Sequence, residues 1–174
     1  MRLSSITIDA DGSPSGYIAW YNHSTELPGI RVLRPWPKNE KFGVQRMEML
    51  AIYFALADNQ RQISKLANNQ RRKQLVVNIR SDSKTCIEQL QGISKVRDVI
   101  LQRICAAIKK LLEKMAYMII FNHVERGRNI AGLRLEQKRR KEEEKFLMHR
   151  YEKYYGGIDQ LQEFMTSPYG LTTA

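Results

Sequence analysis

Residues 6–16 read Ile6-Thr7-Ile8-Asp9-Ala10-Asp11-Gly12-Ser13-Pro14-Ser15-Gly16. Ile6 and Ile8 alternate with Thr7 and Asp9, the period of a strand with one buried face. The Asp, Gly, Ser and Pro that follow turn the chain. Gly16-Tyr17-Ile18-Ala19-Trp20-Tyr21 then reads as the return strand of a hairpin. An acid at the end of a central strand is costly unless water, a cation or a metal compensates it. Asp9 and Asp11 could simply begin a turn, and the rest of the chain decides between the two readings.

Working outward, Ile30 to Arg34 reads as a third strand that Pro35 and Pro37 end, because proline cannot donate to a ladder. From Val44 the apolar period changes to 3.6. Met47, Leu50, Ala51, Phe54 and Ala55 share one face of a helix running to about residue 57, with Glu48 in its first turn. Residues 58–73 are polar and basic, a helical extension or a long loop. Leu75 to Ile79 is a strand dense in β-branched residues. It runs into Arg80-Ser81-Asp82-Ser83, and a helix begins at about Thr85. A second acid therefore sits where a strand ends and a helix starts, the place where open α/β sheets bind ligands. Val96 to Leu112 marks an amphipathic helix with Lys95, Arg97, Arg103, Lys109 and Lys110 on its polar face. Tyr117 to Phe121 is a last strand, too apolar for an edge exposed on both faces. A final helix runs from about Ile130 to Tyr155 and stops at Gly156-Gly157. Short connections make the first three strands antiparallel, and helical crossovers make the last two parallel to a neighbour. The expected architecture is α/β: a mixed five-stranded sheet flanked by helices, with an extended C-terminal helix. Residues 1–157 are expected to form one domain including that helix, with a short helix and loose tail over 158–174.

The length of 174 residues suits that single domain. No apolar run can span a bilayer, and the N-terminus has no apolar signal-peptide region. Cys86 and Cys105 lack metal-ligand spacing and read as reduced, buried thiols, which points to the cytoplasm. The net charge of +11 is uneven. Residues 1–59 hold 6 basic and 6 acidic side chains, whereas residues 60–115 hold 13 and 4. A basic middle segment beside acids on strands suggests a polyanion partner, nucleic acid first, although a Lys-rich solvated surface has the same composition.

Asp9, Glu48 and Asp82 are the acids at informative places. If strands one and four are neighbours, Asp9 and Asp82 lie side by side, and the first helix can bring Glu48 to them. Clustered carboxylates take up protons unless a cation neutralises them, and oxygen-only ligands suit Mg²⁺ or Mn²⁺. Two such ions about 4 Å apart can activate a water and stabilise a leaving phosphodiester oxygen. The segments carrying these acids resemble the ribonuclease H superfamily over roughly residues 3–136. Ile6 to Gly16 resembles its first strand, Gln45-Arg46-Met47-Glu48-Met49-Leu50-Ala51 the segment bearing its catalytic Glu, and Ile79-Arg80-Ser81-Asp82-Ser83 the strand end bearing its second Asp. The resemblance implies sheet order 3-2-1-4-5 with strand 2 antiparallel, two divalent metals, and hydrolysis of the RNA strand of RNA–DNA hybrids.

Asp11-Gly12-Ser13 fits the Asp-Gly-Ser spelling of many members, and Asp9-Ala10 the Asp-Ala spelling of retroelement-like members. Asp9 is better centred in the strand and is preferred, with Asp11 as the alternative. The family's fourth acid, near the start of the last helix, falls on Gly132. Glu136 lies one turn later on the same helix face and could replace it, or could form a surface pair with Arg140. The expected metal ligands are Asp9, Glu48, Asp82 and Glu136. Gly12, Gln45, Arg46 and Ser83 are expected near the nucleic acid, and Lys109 and Lys110 on its phosphates. His123 reads as a structural residue at a strand end, and Tyr151, Tyr154 and Tyr155 as helix packing rather than base stacking. The leading expectation is a monomeric, metal-dependent ribonuclease H-like endonuclease. Its rival is a weak or inactive nucleic-acid-binding module on the same fold, which the Gly at 132 favours. An interaction scaffold would leave the acids unexplained.

Overall fold

The first strand, β1 (Ser4–Gly12), carries the alternation through to the glycine. Ile6, Ile8 and Ala10 are buried on one face. The chain turns only after Gly12, where the Ser13 N–H donates to the Tyr17 carbonyl at 2.7 Å. Gly16 takes φ +94°, a value that suits glycine. The structure, a computed structural model, describes residues 4–69, 75–115 and 117–155. Two compact units divide the chain, Met1–Leu135 and Glu136–Ala174. The expected short helix and tail over 158–174, and the side chains of Tyr151, Tyr154 and Tyr155, lie outside the described residues.

In the first unit, β2 (Tyr17–Asn22) and β3 (Leu27–Val32) continue an antiparallel meander. β3 starts three residues earlier than its apolar pattern predicts. Gly29 explains this, because its bare Cα lies against the Trp20 ring, where a Cβ would come within 2.0 Å of a ring carbon. α1 (Gly43–Asn69) follows, then β4 (Leu75–Ser81), α2 (Lys84–Leu90), α3 (Val99–Leu112) and β5 (Met118–His123). β4 lies parallel to β1, with Ile8 opposite Ile79 and Asp9 opposite Arg80, and β5 lies parallel to β4. The sheet order is β3-β2-β1-β4-β5, as expected. A 3-10 turn (Arg126–Arg128) leads into α4 (Ile130–Tyr155).

α1 is one helix to Asn69, which resolves the open reading of its basic half. Ile63 is fully buried, and the buried Asn59 binds the Ala55 carbonyl and Asn22. α3 starts at Val99 rather than Val96 because Asp98 caps it, accepting from the Leu101 N–H at 2.9 Å. The main core lies between one face of the sheet and the helices α1 and α3. Ile6, Ile8, Val77 and Ile79 meet Met47, Ile52, Leu56, Leu101 and Ile108 there. Burying such a side chain contributes about 1.5–3 kcal/mol. Cys86 and Cys105 are buried and free. Burial pushes the Cys86 thiol up to about 12, so it stays protonated and unreactive. β5 is an edge strand, and its Met118 and Ile120 are exposed. On the opposite face of the sheet, Ala131 and Leu135 of α4 pack against Ala19 and Tyr17.

Candidate metal centre

Thr7, Asp9 and Asp11 share the face of β1 opposite its apolar residues, because side chains alternate along a strand. Asp11 is the last acid before Gly12. α1 crosses the main chain there at very short range, and a Cβ on Gly12 would stand 2.4 Å from the Met47 carbonyl carbon. That approach lets the Gly12 N–H donate to Glu48 Oε2 at 3.1 Å. Asp82 directly follows β4, and its Oδ1 accepts from Asn129 Nδ2 at 2.9 Å. The same amide group donates to the Ala10 carbonyl at 3.0 Å, which ties the start of α4 to β1. Asp11, Glu48 and Asp82 are each half-buried. Each offers one carboxylate oxygen, and the three oxygens lie within 4.8 Å of one another.

Burial, then the Asp82 charge and its hydrogen bond, raise the Asp11 carboxyl to about 7. Burial, then Asp11 and Asp82, raise Glu48 to about 9. The Gly12 N–H and the Arg126 guanidinium pull both in the opposite direction. Sharing one half-buried space with Asp82, the Asp11 and Glu48 carboxyls therefore hold protons that a cation would displace. Their all-oxygen donor set fits a hard divalent ion such as Mg²⁺ or Mn²⁺.

The structure brings Asp11, not Asp9, to Glu48 and Asp82, which corrects the choice made on the sequence. Asp9 lies one pleat deeper and is fully buried. Its oxygens accept from Arg80 Nε at 2.6 Å, Arg80 Nη2 at 3.0 Å and the Ile130 N–H at 2.9 Å, and His23 Nε2 lies at 3.0 Å. With that complement of partners Asp9 is already neutralised by the protein. Arg46 is a second correction. It is buried, with its guanidinium bidentate on Asp98 at 2.7 and 3.0 Å and stacked over the Trp36 ring at 4.5 Å. It braces the start of α3 and is not presented to a ligand. The Gly12 N–H, expected near the substrate, is taken by Glu48.

Gln45 and Ser83 do reach an open depression of about 290 Å³ beside Glu48 and Asp82, with Lys41 and Thr85. Gln45 also donates to Gln89 at 3.1 Å. Lys109 and Lys110 are exposed in the last turn of α3, and His123 is exposed at the end of β5. Glu136 belongs to the second unit and accepts from Arg140 Nη2 at 2.7 Å. At Gly132 a Cβ would lie 3.3 Å from Asp11 Cγ, so position 132 faces the acid cluster directly. Asn129 is the site residue that the sequence reading left without a role. Its place just before the last helix, where a side-chain amide can bind two strands, is the signal for it.

No family model matches the chain, and no curated protein matches it. Solved structures do. RNase H1 from the halophilic archaeon Halobacterium salinarum superposes with a TM-score of 0.58 at 18% identity, covering 74% of this chain and 91% of that one. LC11-RNase H1 in complex with an RNA/DNA hybrid gives 0.56 at 20% identity, covering 72% and 88%. The N-terminal RNase H domain of rv2228c from Mycobacterium tuberculosis gives 0.52 at 19% identity, covering 72% and 86%. With the sheet order β3-β2-β1-β4-β5, these likenesses give the chain the fold of the ribonuclease H superfamily.

Proposed function

We propose that this protein is a divalent-metal-dependent nuclease that cleaves the RNA strand of RNA–DNA hybrids, with Asp11, Glu48 and Asp82 as its metal ligands. The observation that carries this reading is the convergence of three carboxylates from β1, α1 and the end of β4 within 4.8 Å. A solved structure of the same fold in complex with an RNA/DNA hybrid supports the choice of substrate. When bound, divalent ions supply an activated water and charge neutralisation at a phosphodiester. The chain's own residues do the rest. The Gly12 N–H orients Glu48, and Asn129 orients Asp82. Lys41, Gln45 and Ser83 line the depression beside the ligands and present a cation and hydrogen-bonding groups to a strand lying there. Lys109 and Lys110, exposed on α3, suit phosphates further out. Contacts to 2′-hydroxyls would separate RNA from DNA.

A second reading, a weak or inactive nucleic-acid-binding module, is favoured by Gly132, which faces Asp11 without a side chain. One assay separates them. Labelled hybrid, duplex DNA and duplex RNA are incubated with Mg²⁺, Mn²⁺ or EDTA. Cleavage of the hybrid's RNA strand that EDTA abolishes is the expected result. Salt-dependent hybrid binding without cleavage in either metal would establish the binding module instead.

A further inference from the structure

Asp9 and Arg80 occupy matched places. Asp9 stands two residues before Asp11 on β1, and Arg80 stands two residues before Asp82 on β4. The parallel register sets the two directly opposite each other. The Arg80 fork grips both Asp9 oxygens, Nε to Oδ1 at 2.6 Å and Nη2 to Oδ2 at 3.0 Å. His23 Nε2 lies 3.0 Å from both Asp9 Oδ2 and Arg80 Nη2 and closes the group from β2's end. Asp9 Oδ2 also accepts from the N–H of Ile130, the first residue of α4. The preceding residue, Asn129, holds Asp82 and the Ala10 carbonyl, and Gly132 faces Asp11. One buried carboxylate thus fastens the three segments that carry or brace two of the three clustered acids.

We propose that the Asp9–Arg80 ion pair is a positioning latch that fixes the spacing of Asp11 and Asp82 and so sets the affinity of the acid cluster for a divalent ion. This rests on the reading of that cluster as a metal centre. The physical reason for an ion pair at this place is geometric. A buried pair recovers little net stability, because desolvating both charges offsets their attraction, and apolar residues of similar size hold strands together as well. What an apolar pair lacks is direction. A planar guanidinium bound at two points to a carboxylate fixes the distance and the relative orientation of its two strands. The fork acts one pleat behind the ligands, where small shifts of either strand would move Asp11 and Asp82 apart.

The test measures Mn²⁺ binding to the full chain by the resonance of free Mn²⁺, alongside urea unfolding without metal. The double variant Asp9→Asn with Arg80→Met removes both charges and keeps an oxygen for the Ile130 N–H. It is expected to unfold like the wild type yet bind Mn²⁺ about 10- to 100-fold more weakly, the usual effect of losing a residue that orients a metal ligand. Arg80→Lys keeps the charge without the fork and is expected to stay folded while losing several-fold in affinity. Wild-type Mn²⁺ affinity in either folded variant overturns the latch. Asp82→Asn separates the two levels of the argument. If it abolishes Mn²⁺ binding while both latch variants bind normally, the metal centre stands and the latch falls. If it leaves Mn²⁺ binding unchanged, the metal centre falls and the latch with it.

Discussion

Asp9 and Asp11 leave β1 on the same face, one pleat apart, and their surroundings differ in what stands against their oxygens. Asp9 meets the Arg80 guanidinium, the His23 ring and the N–H that opens α4. Asp11 meets two further carboxyls, Glu48 and Asp82. The chain has placed its own cation beside one acid and left the other three to crowd together. A carboxylate with a built-in cation fixes how its strands sit against each other, whereas carboxylates gathered without enough positive charge form a place for a cation from outside. The strongest challenge to this contrast is to neutralise the clustered acids one at a time. Asp82→Asn or Asp11→Asn should lower hybrid cleavage by orders of magnitude with the fold intact by circular dichroism. Equal turnover in Asp82→Asn and wild type would remove the metal centre from the argument.

The same contrast appears in the pH dependence of the metal-free protein. The folded carboxyls of Asp11 and Glu48 titrate near 7 and near 9, against ordinary values of 3.8 and 4.5. The folded state therefore binds more protons than the unfolded chain between those limits, and stability falls with rising pH there. Their contribution is complete below about pH 4 and is lost as pH rises through 7 and then 9. In EDTA the melting temperature should drop between pH 5.5 and pH 9, by about 2–4 °C for each kcal/mol lost. Saturating Mg²⁺ should raise it more at pH 8 than at pH 5.5, since the ion replaces the protons. A melting temperature that rises across this range in EDTA would contradict the origin given for these shifts. Asp11→Asn should flatten the slope.

Much of this was legible in the sequence, and the misreadings have physical causes. The order of strands and helices followed from the change of apolar period at Val44 and from the β-branched run at Leu75. Asp82 was marked by its place at a strand end, and Glu48 by its place beside the apolar stripe of α1, although it stands in the second turn of that helix and not the first. The choice between Asp9 and Asp11 did not follow, because it turns on a residue 71 positions away, Arg80, whose pairing with Asp9 exists only once β1 and β4 are in register. Arg46 misled for a similar reason. Its partner Asp98 lies 52 residues on, and nothing local marks an arginine as one to be buried. The reach of α1 to Asn69 was hidden by a polar sequence, because one of its two buried anchors a turn apart, Asn59 and Ile63, is itself a polar residue.

Position 132 gives a smaller and more pointed test. A Cβ there would stand 3.3 Å from Asp11 Cγ, a contact that a shift of a few tenths of an ångström relieves. Gly132→Asp would add a fourth carboxyl to the cluster. In EDTA it should destabilise the protein through added like-charge repulsion. With metal it should lower the Mg²⁺ concentration for half-maximal binding by about tenfold, the scale on which changes around a metal commonly act. Gly132→Ala introduces the same Cβ without the charge and should do neither. If the two variants behave alike in metal titrations, position 132 does not address the ion.

The smallest effect is expected at Glu136, where the surface-pair and metal-ligand readings of the sequence part. Its carboxylate accepts from Arg140 Nη2 at 2.7 Å, an i,i+4 pair on α4 with the arginine two-thirds exposed. Exposed helix pairs of this kind contribute about 0.3–0.5 kcal/mol, and salt screens them. With Asp11, Glu48 and Asp82 as the ligand set, Glu136→Gln and Arg140→Ala should each change unfolding free energy by no more than about 0.5 kcal/mol. Both should leave the Mg²⁺ requirement for hybrid cleavage where it was. The paired comparison matters because each change breaks the same ion pair, while only the first removes a carboxylate. A loss of turnover by orders of magnitude in Glu136→Gln, with Arg140→Ala unaffected, would make Glu136 a required acid despite its pairing with Arg140. Similar small changes in both would leave it with Asp9, among the acids the protein neutralises itself.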